Sequence, residues 1–297
     1  MVGGKNKPDN KKRKEKRIMS KKKILNGYWM GYQSCGNDLI ETPNYVNKVT
    51  LFVAAPAEDG ISLDINYLCQ AYSKKQQIEW AQQLQKQGTE VLMSLMDTPE
   101  THWDKVDIEA FVKNFKDVVI DGEWGLNGVD IDLESGMPED VWAQTFTSMI
   151  QEFRKVLGPK GTTNSKGQCI SRVSAAAYRL DKEKPILQTA GADLDWLNTM
   201  AYWNNADENE SMFNDYIQYV AQVNMGIGVD YQNGQSTDLE QVKLMAQFAG
   251  NTEGCGMMEF ALNNDCEYYS KSLQWTWASA INSNMYGMEK GTVRVNV

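Results

Sequence analysis

Residues 126–134 read Leu-Asn-Gly-Val-Asp-Ile-Asp-Leu-Glu, so Asp130, Asp132 and Glu134 fall at every second position of an aliphatic run. Side chains alternate between the two faces of a strand, which puts the three acids on one face and Val129, Ile131 and Leu133 on the other. If the strand is buried on both sides, the acids line an interior, where ionisation is costly unless hydrogen bonds or shared protons offset it. Packing alone has no use for such a cluster, whereas proton transfer does. The pattern therefore predicts an enzyme working through carboxyl groups, with an acidic edge strand as the alternative. The chain has one histidine, His102. A Ser-His-Asp triad and a multi-histidine metal site are thereby set aside as leading mechanisms, and His102 reads as a loop residue. No metal or cofactor is expected.

Strands and helices must hold those acids, and the chain alternates between them. Eight short aliphatic runs lie near Ile24–Met30, Lys48–Ala54, Glu90–Leu95, Leu126–Leu133, Cys169–Ala177, Trp196–Tyr202, Met225–Val229 and Gly256–Leu262. Helical patterns separate most of them, at Lys75–Gln87, Ile108–Val119, Glu139–Leu157, Ser211–Val223, Asp238–Phe248 and Ser270–Asn282. Alternating strands and helices make a parallel sheet. Eight such units closing on themselves make a single (β/α)8 TIM barrel of class α/β, for which about 250 residues is typical. The doubly wound open sheet is the other architecture considered, but no Gly-x-Gly-x-x-Gly turn follows an early strand to support its dinucleotide-binding form. In a barrel the site forms at the carboxyl ends of the strands, where Glu134 ends its run.

Residues 1–23 carry 11 Lys/Arg against Asp9 and Glu15, a local +9 in a chain whose net charge is −9, so the remaining body stands at −18. That body repels phosphate backbones, and no nucleic-acid substrate is expected; a neutral glycan is not repelled. The basic head has almost no apolar residue and is expected to be disordered, leaving 24–297 as the catalytic barrel. It lacks the apolar stretch of a secretory signal. No run approaches the roughly 20 apolar residues that cross a bilayer, so a soluble chain is expected. The five cysteines show no paired metal-ligand spacing, although Cys255 and Cys266 are close enough in sequence to pair.

With the acids on the fourth of eight strands, the chain resembles glycoside hydrolase family 18, the chitinase and endo-β-N-acetylglucosaminidase family. The family signature Asp-x-x-Asp-x-Asp-x-Glu is met here by Asn127, Asp130, Asp132 and Glu134, the first acid having become an amide. Asp195 to Tyr202 resembles the sixth strand with its Met-x-Tyr ending, and Gly256 to Leu262 the eighth, with Phe260 where chitinases usually place a floor Trp. The third strand keeps Ser94 but lacks the Gly-Gly that follows it in the family.

The resemblance implies substrate-assisted hydrolysis of a β-1,4-linked N-acetylglucosamine glycan, in which the 2-acetamido oxygen of the sugar attacks C1. It implies Glu134 as acid and then base, Asp132 as orienting partner of the acetamide, Asp130 as proton-sharing support of Asp132, and Tyr202 as donor to the acetamido oxygen. An anionic Asp132 is expected to raise the Glu134 pKa. Sugar rings stack on aromatic faces. The candidates at the strand ends are Trp29, Tyr32, Tyr178, Trp203, Tyr231 and Phe260, with Asn204 beside them; Trp80, Trp142, Trp275 and Trp277 read as packing residues. Leu133 before the catalytic Glu, the Tyr-Trp-Asn-Asn sequence at 202–205 and Phe260 lean toward an endo-β-N-acetylglucosaminidase acting on the N-glycan core. A chitinase and a non-catalytic glycan-binding lectin on the same barrel are the alternatives.

Overall fold

A computed structural model of the chain describes residues 23–232 and 234–286. The basic segment, apart from Lys23, lies outside the described residues. Eight parallel strands, β1 (Leu25–Met30), β2 (Lys48–Pro56), β3 (Glu90–Leu95), β4 (Gly128–Asp132), β5 (Arg172–Ala177), β6 (Trp196–Thr199), β7 (Val223–Gly228) and β8 (Cys255–Phe260), pair each with the next. β1 pairs with both β2 and β8, which closes the barrel. A two-residue strand, Leu63–Asp64, adds antiparallel to the end of β2.

The helices are α1 (Lys74–Lys86), α2 (Ile108–Phe115), α3 (Glu139–Leu157), α4 (Leu180–Ala190), α5 (Ala206–Tyr216), α6 (Leu239–Asn251), α7 (Glu267–Ser270) and α8 (Thr276–Met285). All eight expected strands are present. The helices depart from expectation in four places, one of them the helix expected over 270–282, which runs as α8 from Thr276 to Met285. β1 reaches β2 through a single 3-10 turn, Leu39–Glu41, in place of a helix. α4 went unpredicted because Pro185 stands inside it, where proline removes a backbone donor. α5 begins five residues before its expected start, because Asn205 and Glu208 form a reciprocal capping box: the Asn205 side chain accepts from the Glu208 N–H and the Glu208 carboxylate from the Asn205 N–H.

α3 shows how sequence builds the outer layer. Trp142, Phe146, Met149, Ile150, Phe153 and Leu157 recur at three- and four-residue spacing and are all buried. Glu139 and Asp140 complement the positive end of the helix, Arg154 and Lys155 the negative end, and Gly158 ends it at φ 85°, where only glycine is unstrained. Facing this layer, β4 presents Val129, Ile131 and Leu133, all within the core between barrel and helices. Gly128 is required by close approach, since a Cβ there would lie 2.0 Å from the Arg172 carbonyl oxygen on β5.

The barrel interior is polar. Asn26, Thr50, Ser94, Asp130, Ser174, Asn198 and Asn224 are buried, in place of the branched apolar layers common in such barrels. Cys255 and Cys266 do not pair; all five cysteines are free thiols. None of the described helices is long and apolar enough to cross a membrane.

Candidate active site

Asp130 sits at the middle of the interior network. Its Oδ2 accepts from the Tyr28 hydroxyl at 2.8 Å and the Ser94 hydroxyl at 3.1 Å, and its Oδ1 from the Ser174 hydroxyl at 2.6 Å and the Asn198 amide at 3.4 Å. The same Asn198 amide donates to the Tyr28 oxygen at 3.0 Å, so the Tyr28 proton is directed onto Asp130. Asn224 supports Asn198 in turn, at 2.9 Å. Burial pushes the Asp130 pKa up, and the four donors oppose it. A carboxyl surrounded by donors on both oxygens is built to be held as a carboxylate.

Asp132, one turn of the pleat nearer the mouth, is also buried, and its Oδ1 accepts the Glu134 backbone N–H at 3.0 Å. The expected proton-sharing contact with Asp130 is not among the hydrogen bonds of either residue: Asp130 is occupied by its four donors and Asp132 turns toward Glu134. The Asp132 pKa is driven well up, by burial first and then by the negative charge of Glu134. Glu134, just past the end of β4, is open to solvent at its outer edge, and its own pKa is raised by the protein that surrounds it on the barrel side. Asp132 is the more buried of the two and stands two residues before the group that meets solvent.

Tyr202 stands beside them. Its pKa is driven well up by burial and then by the charges of Asp132, Glu134 and Asp130, and no hydrogen bond shifts it. Its ring stacks on Phe260 at 5.6 Å and 16° and lies 5.5 Å from Tyr231. Gly228 makes that cluster possible: a Cβ there would come within 2.3 Å of the Tyr231 ring and 2.9 Å of the Tyr202 Cβ. Phe260 continues edge-on to Phe52 at 5.4 Å, and Tyr32 stacks on Tyr67 at 4.3 Å. On the other flank Trp203, 62% exposed, meets Tyr178 and Tyr202 edge-on at 6.5 and 6.3 Å. Asn204 occupies the turn into α5, its N–H donating to the Ala201 carbonyl at 3.1 Å.

The structure therefore brings Asp130, Asp132, Glu134, Tyr202, Tyr32, Tyr178, Trp203, Asn204, Tyr231 and Phe260 to one end of the barrel. Trp29 is a correction. It is fully buried among the outer core, against Tyr72 at 5.1 Å and Trp80 at 6.2 Å, with its indole N–H donating to the Asn37 carbonyl at 3.0 Å. Strand alternation puts Trp29 with Leu25 on the outer face, against Tyr72 and α1, and turns its neighbour Tyr28 inward. Tyr28, Ser174, Asn198, Phe52 and Tyr67 were not identified from sequence. Counting parity along β1 from buried Leu25 would have found Tyr28; the others carry no local signal.

Asn127, the amide in place of the first signature acid, is at the opposite end of the barrel. Its Oδ1 accepts from the Val91 N–H at 2.7 Å and the Gln85 amide at 2.9 Å, while its own amide donates to the Cys169 carbonyl at 2.7 Å. It stitches β3, α1 and the approach to β5 together. His102 is more than a free loop residue: its Nε2 donates to the Pro99 carbonyl at 2.9 Å and its ring packs on Gly136, where a Cβ would come 2.6 Å from Cε1. Beside it, buried Asp97 accepts from the Ser135 hydroxyl at 2.5 Å and the Trp103 N–H at 3.2 Å. These contacts clamp the loop that carries Glu134. Among the described residues no group of three or more metal-ligating side chains converges.

The chain matches the model of the endo-β-N-acetylglucosaminidase EndoS TIM-barrel domain over residues 26–261. A search of curated proteins found no match. Similar solved structures include a family 18 chitinase of Chromobacterium violaceum, 16% identical, with a TM-score of 0.68 over 89% of this chain and 84% of that one. A chitinase of Bacteroides thetaiotaomicron is 14% identical, with a TM-score of 0.68 over 91% and 98% of the two chains. A fungal family 18 endo-β-N-acetylglucosaminidase is 16% identical, with a TM-score of 0.65 over 88% and 97%. At these identities the likeness is one of fold. The family model spans most of the chain, from β1 to just past β8: the chain belongs to the family of EndoS TIM-barrel domains and is a glycoside hydrolase of family 18.

Proposed function

We propose that this protein is a retaining endo-β-N-acetylglucosaminidase that cleaves the β-1,4 linkage of the N-glycan chitobiose core by substrate-assisted catalysis. The observation that carries the reading is the juxtaposition of buried Asp132, solvent-facing Glu134 and Tyr202 at the carboxyl ends of β4 and β6. The sugar whose bond breaks rests over the Tyr202–Phe260 stack. Its acetamido oxygen takes the hydrogen bond of Tyr202 and is held for attack on C1. Asp132 accepts the acetamido N–H and stabilises the positive charge that develops on the ring closing to the oxazolinium. Glu134, its pKa raised by burial, protonates the leaving glycosidic oxygen. Glu134 then removes a proton from the water that opens the oxazolinium and restores the anomeric configuration. Asp130, fixed by its four donors, supports the strand beneath Asp132.

The test is digestion of a high-mannose glycoprotein and of chitooligosaccharides in parallel, with Glu134→Gln as control. Release of the glycan with one N-acetylglucosamine left on the protein supports the endoglycosidase; shortening of the oligomers alone makes the enzyme a chitinase. Binding without cleavage by wild type makes it a lectin. Undiminished activity in the Gln variant removes Glu134 from its role, and turnover of substrates bearing a 2-hydroxyl in place of the acetamide removes the mechanism.

A further inference from the structure

The three acids in and after β4 are held unequally. Asp130 has four donors on its two oxygens, Asp132 accepts the Glu134 N–H, and among the described residues no hydrogen bond reaches the Glu134 carboxyl. An acid that gives its proton to a glycosidic oxygen must stand within about 3 Å of it. The aim of Glu134 therefore depends on the backbone that carries it.

That backbone has already left the barrel wall. β4 ends at Asp132, α3 begins at Glu139, and residues 133–138 between them belong to neither strand nor helix. The Leu133 N–H still donates to the Ala176 carbonyl on β5 at 3.0 Å. Beyond it, among the described residues, one hydrogen bond ties 134–138 to a distant part of the chain: the Ser135 hydroxyl donates to Asp97 Oδ2 at 2.5 Å. The other bonds of the segment are local, from the Glu134 N–H to Asp132, from the Met137 N–H to Ser135 Oγ at 3.1 Å and from the Val141 N–H to the Pro138 carbonyl. Ser135 thus donates to Asp97 and accepts from Met137, and the bend of the loop turns about that one oxygen.

Asp97 is itself fixed. It is buried, it follows Met96, whose N–H donates to the Ala54 carbonyl on β2 at 3.1 Å, and its Oδ2 also accepts the Trp103 N–H at 3.2 Å. His102 Nδ1 lies 3.9 Å from the same oxygen. Burial raises the Asp97 pKa, and the two donors and His102 oppose the rise. A carboxylate suits two donors on one oxygen, and its charge strengthens the Ser135 bond over a neutral pair.

Resting on the role of Glu134 proposed above, we infer that Asp97, acting through Ser135, is the positioning residue of the catalytic acid. Loss of the Asp97–Ser135 bond then harms the step that needs a proton and spares one that does not. A sugar leaves poorly unless its oxygen is protonated, whereas 4-nitrophenol leaves as a stable anion with little help from an acid. The experiment measures kcat/KM on a high-mannose glycan ending in chitobiose and on the same glycan with 4-nitrophenol in place of its terminal N-acetylglucosamine. Ser135→Ala is expected to lower the first by about tenfold or more and the second by less than about threefold. Ser135→Thr, which keeps the hydroxyl, should stay within about threefold of wild type on both. Asp97→Ala should repeat the selective loss, and the double variant should be no slower than the slower single one, because both remove the same bond. Ser135→Ala leaves Asp97 bonded to Trp103 and decides the matter should Asp97→Ala not fold. Equal losses on the two substrates overturn the inference, as does wild-type activity in Ser135→Ala. Cleavage of chitooligosaccharides alone refutes the endoglycosidase and leaves the same expectation to be read on chitotetraose and 4-nitrophenyl chitotrioside. A wild type inactive on all four substrates overturns the proposed function and this role together.

Discussion

Removing one donor from Asp130 tests whether the interior network is built around a charge. Tyr28→Phe deletes the 2.8 Å bond to Oδ2 and the oxygen to which Asn198 donates at 3.0 Å, leaving the Asn198 amide only its 3.4 Å contact with Oδ1. A hydrogen bond to an ionised partner contributes about 1.5–3 kcal/mol and a neutral one about 0.5–1.5 kcal/mol. Tyr28→Phe should therefore cost about 2 kcal/mol at neutral pH, a fall of roughly 4–8 °C in Tm for a domain of this size. In an Asp130→Asn background the same change loses only a neutral bond. The double-mutant cycle, read by urea unfolding at pH 7, should then show a coupling of at least about 1 kcal/mol between positions 28 and 130. A coupling below about 0.5 kcal/mol would falsify the carboxylate reading of Asp130, because additivity at that level is what independent sites show. Activity should fall further than stability explains, since Asp130 lies directly beneath Asp132.

Three other expectations are as direct. Glu259 on β8 and Asp265, which follows the 3-10 turn Leu262–Asn264, form a buried acid pair whose pKa values are both raised, by burial first; Glu259 is also raised by the charge of Asp265, and backbone donors at the start of α8, including the Ala278 N–H, pull Asp265 back down. Both Glu259 oxygens and Asp265 Oδ1 lack a donor, as befits two acceptors sharing a proton. Folded pKa values above the ordinary carboxyl range make the pair stabilising below that range, with the contribution lost as pH rises through it; Glu259→Gln should flatten the dependence of Tm on pH above about 4, and an unchanged dependence rejects the pair. Asn127→Asp should destabilise by about 1–3 kcal/mol, because the Cys169 carbonyl loses its donor and meets a carboxylate instead; urea unfolding no different from wild type would show the amide to be incidental. Gly228→Ala should cut kcat/KM severalfold with little change in fold, as the Cβ drives Tyr231 from Tyr202; full activity in that variant means the aromatic cluster does not hold substrate.

The sequence by itself determined what alternation and spacing can encode. Period two along 126–134 separated Asp130, Asp132 and Glu134 from Val129, Ile131 and Leu133, and the structure keeps both sets on opposite faces of β4. Eight aliphatic runs sufficed for eight strands, because a strand buried on both faces needs little besides such a run. Capping chemistry was legible too, although Asn205 and Glu208 were not used and α5 was displaced for it.

What lay outside the sequence depended on long-range contact. Nothing local marks Ser174 or Asn198 as donors to Asp130; barrel closure brings them within reach from 44 and 68 residues away. Trp29 and Tyr28 are adjacent aromatics at a strand end, and only the packing of Trp29 on Tyr72 and Trp80 shows which of the two faces outward. Likewise Asn127 matches the signature by position, yet hydrogen bonds to three separate elements show that it serves the far end of the barrel. The raised pKa values of Asp132 and Glu134 come first from burial, a property of the assembled barrel that no reading along the chain contains.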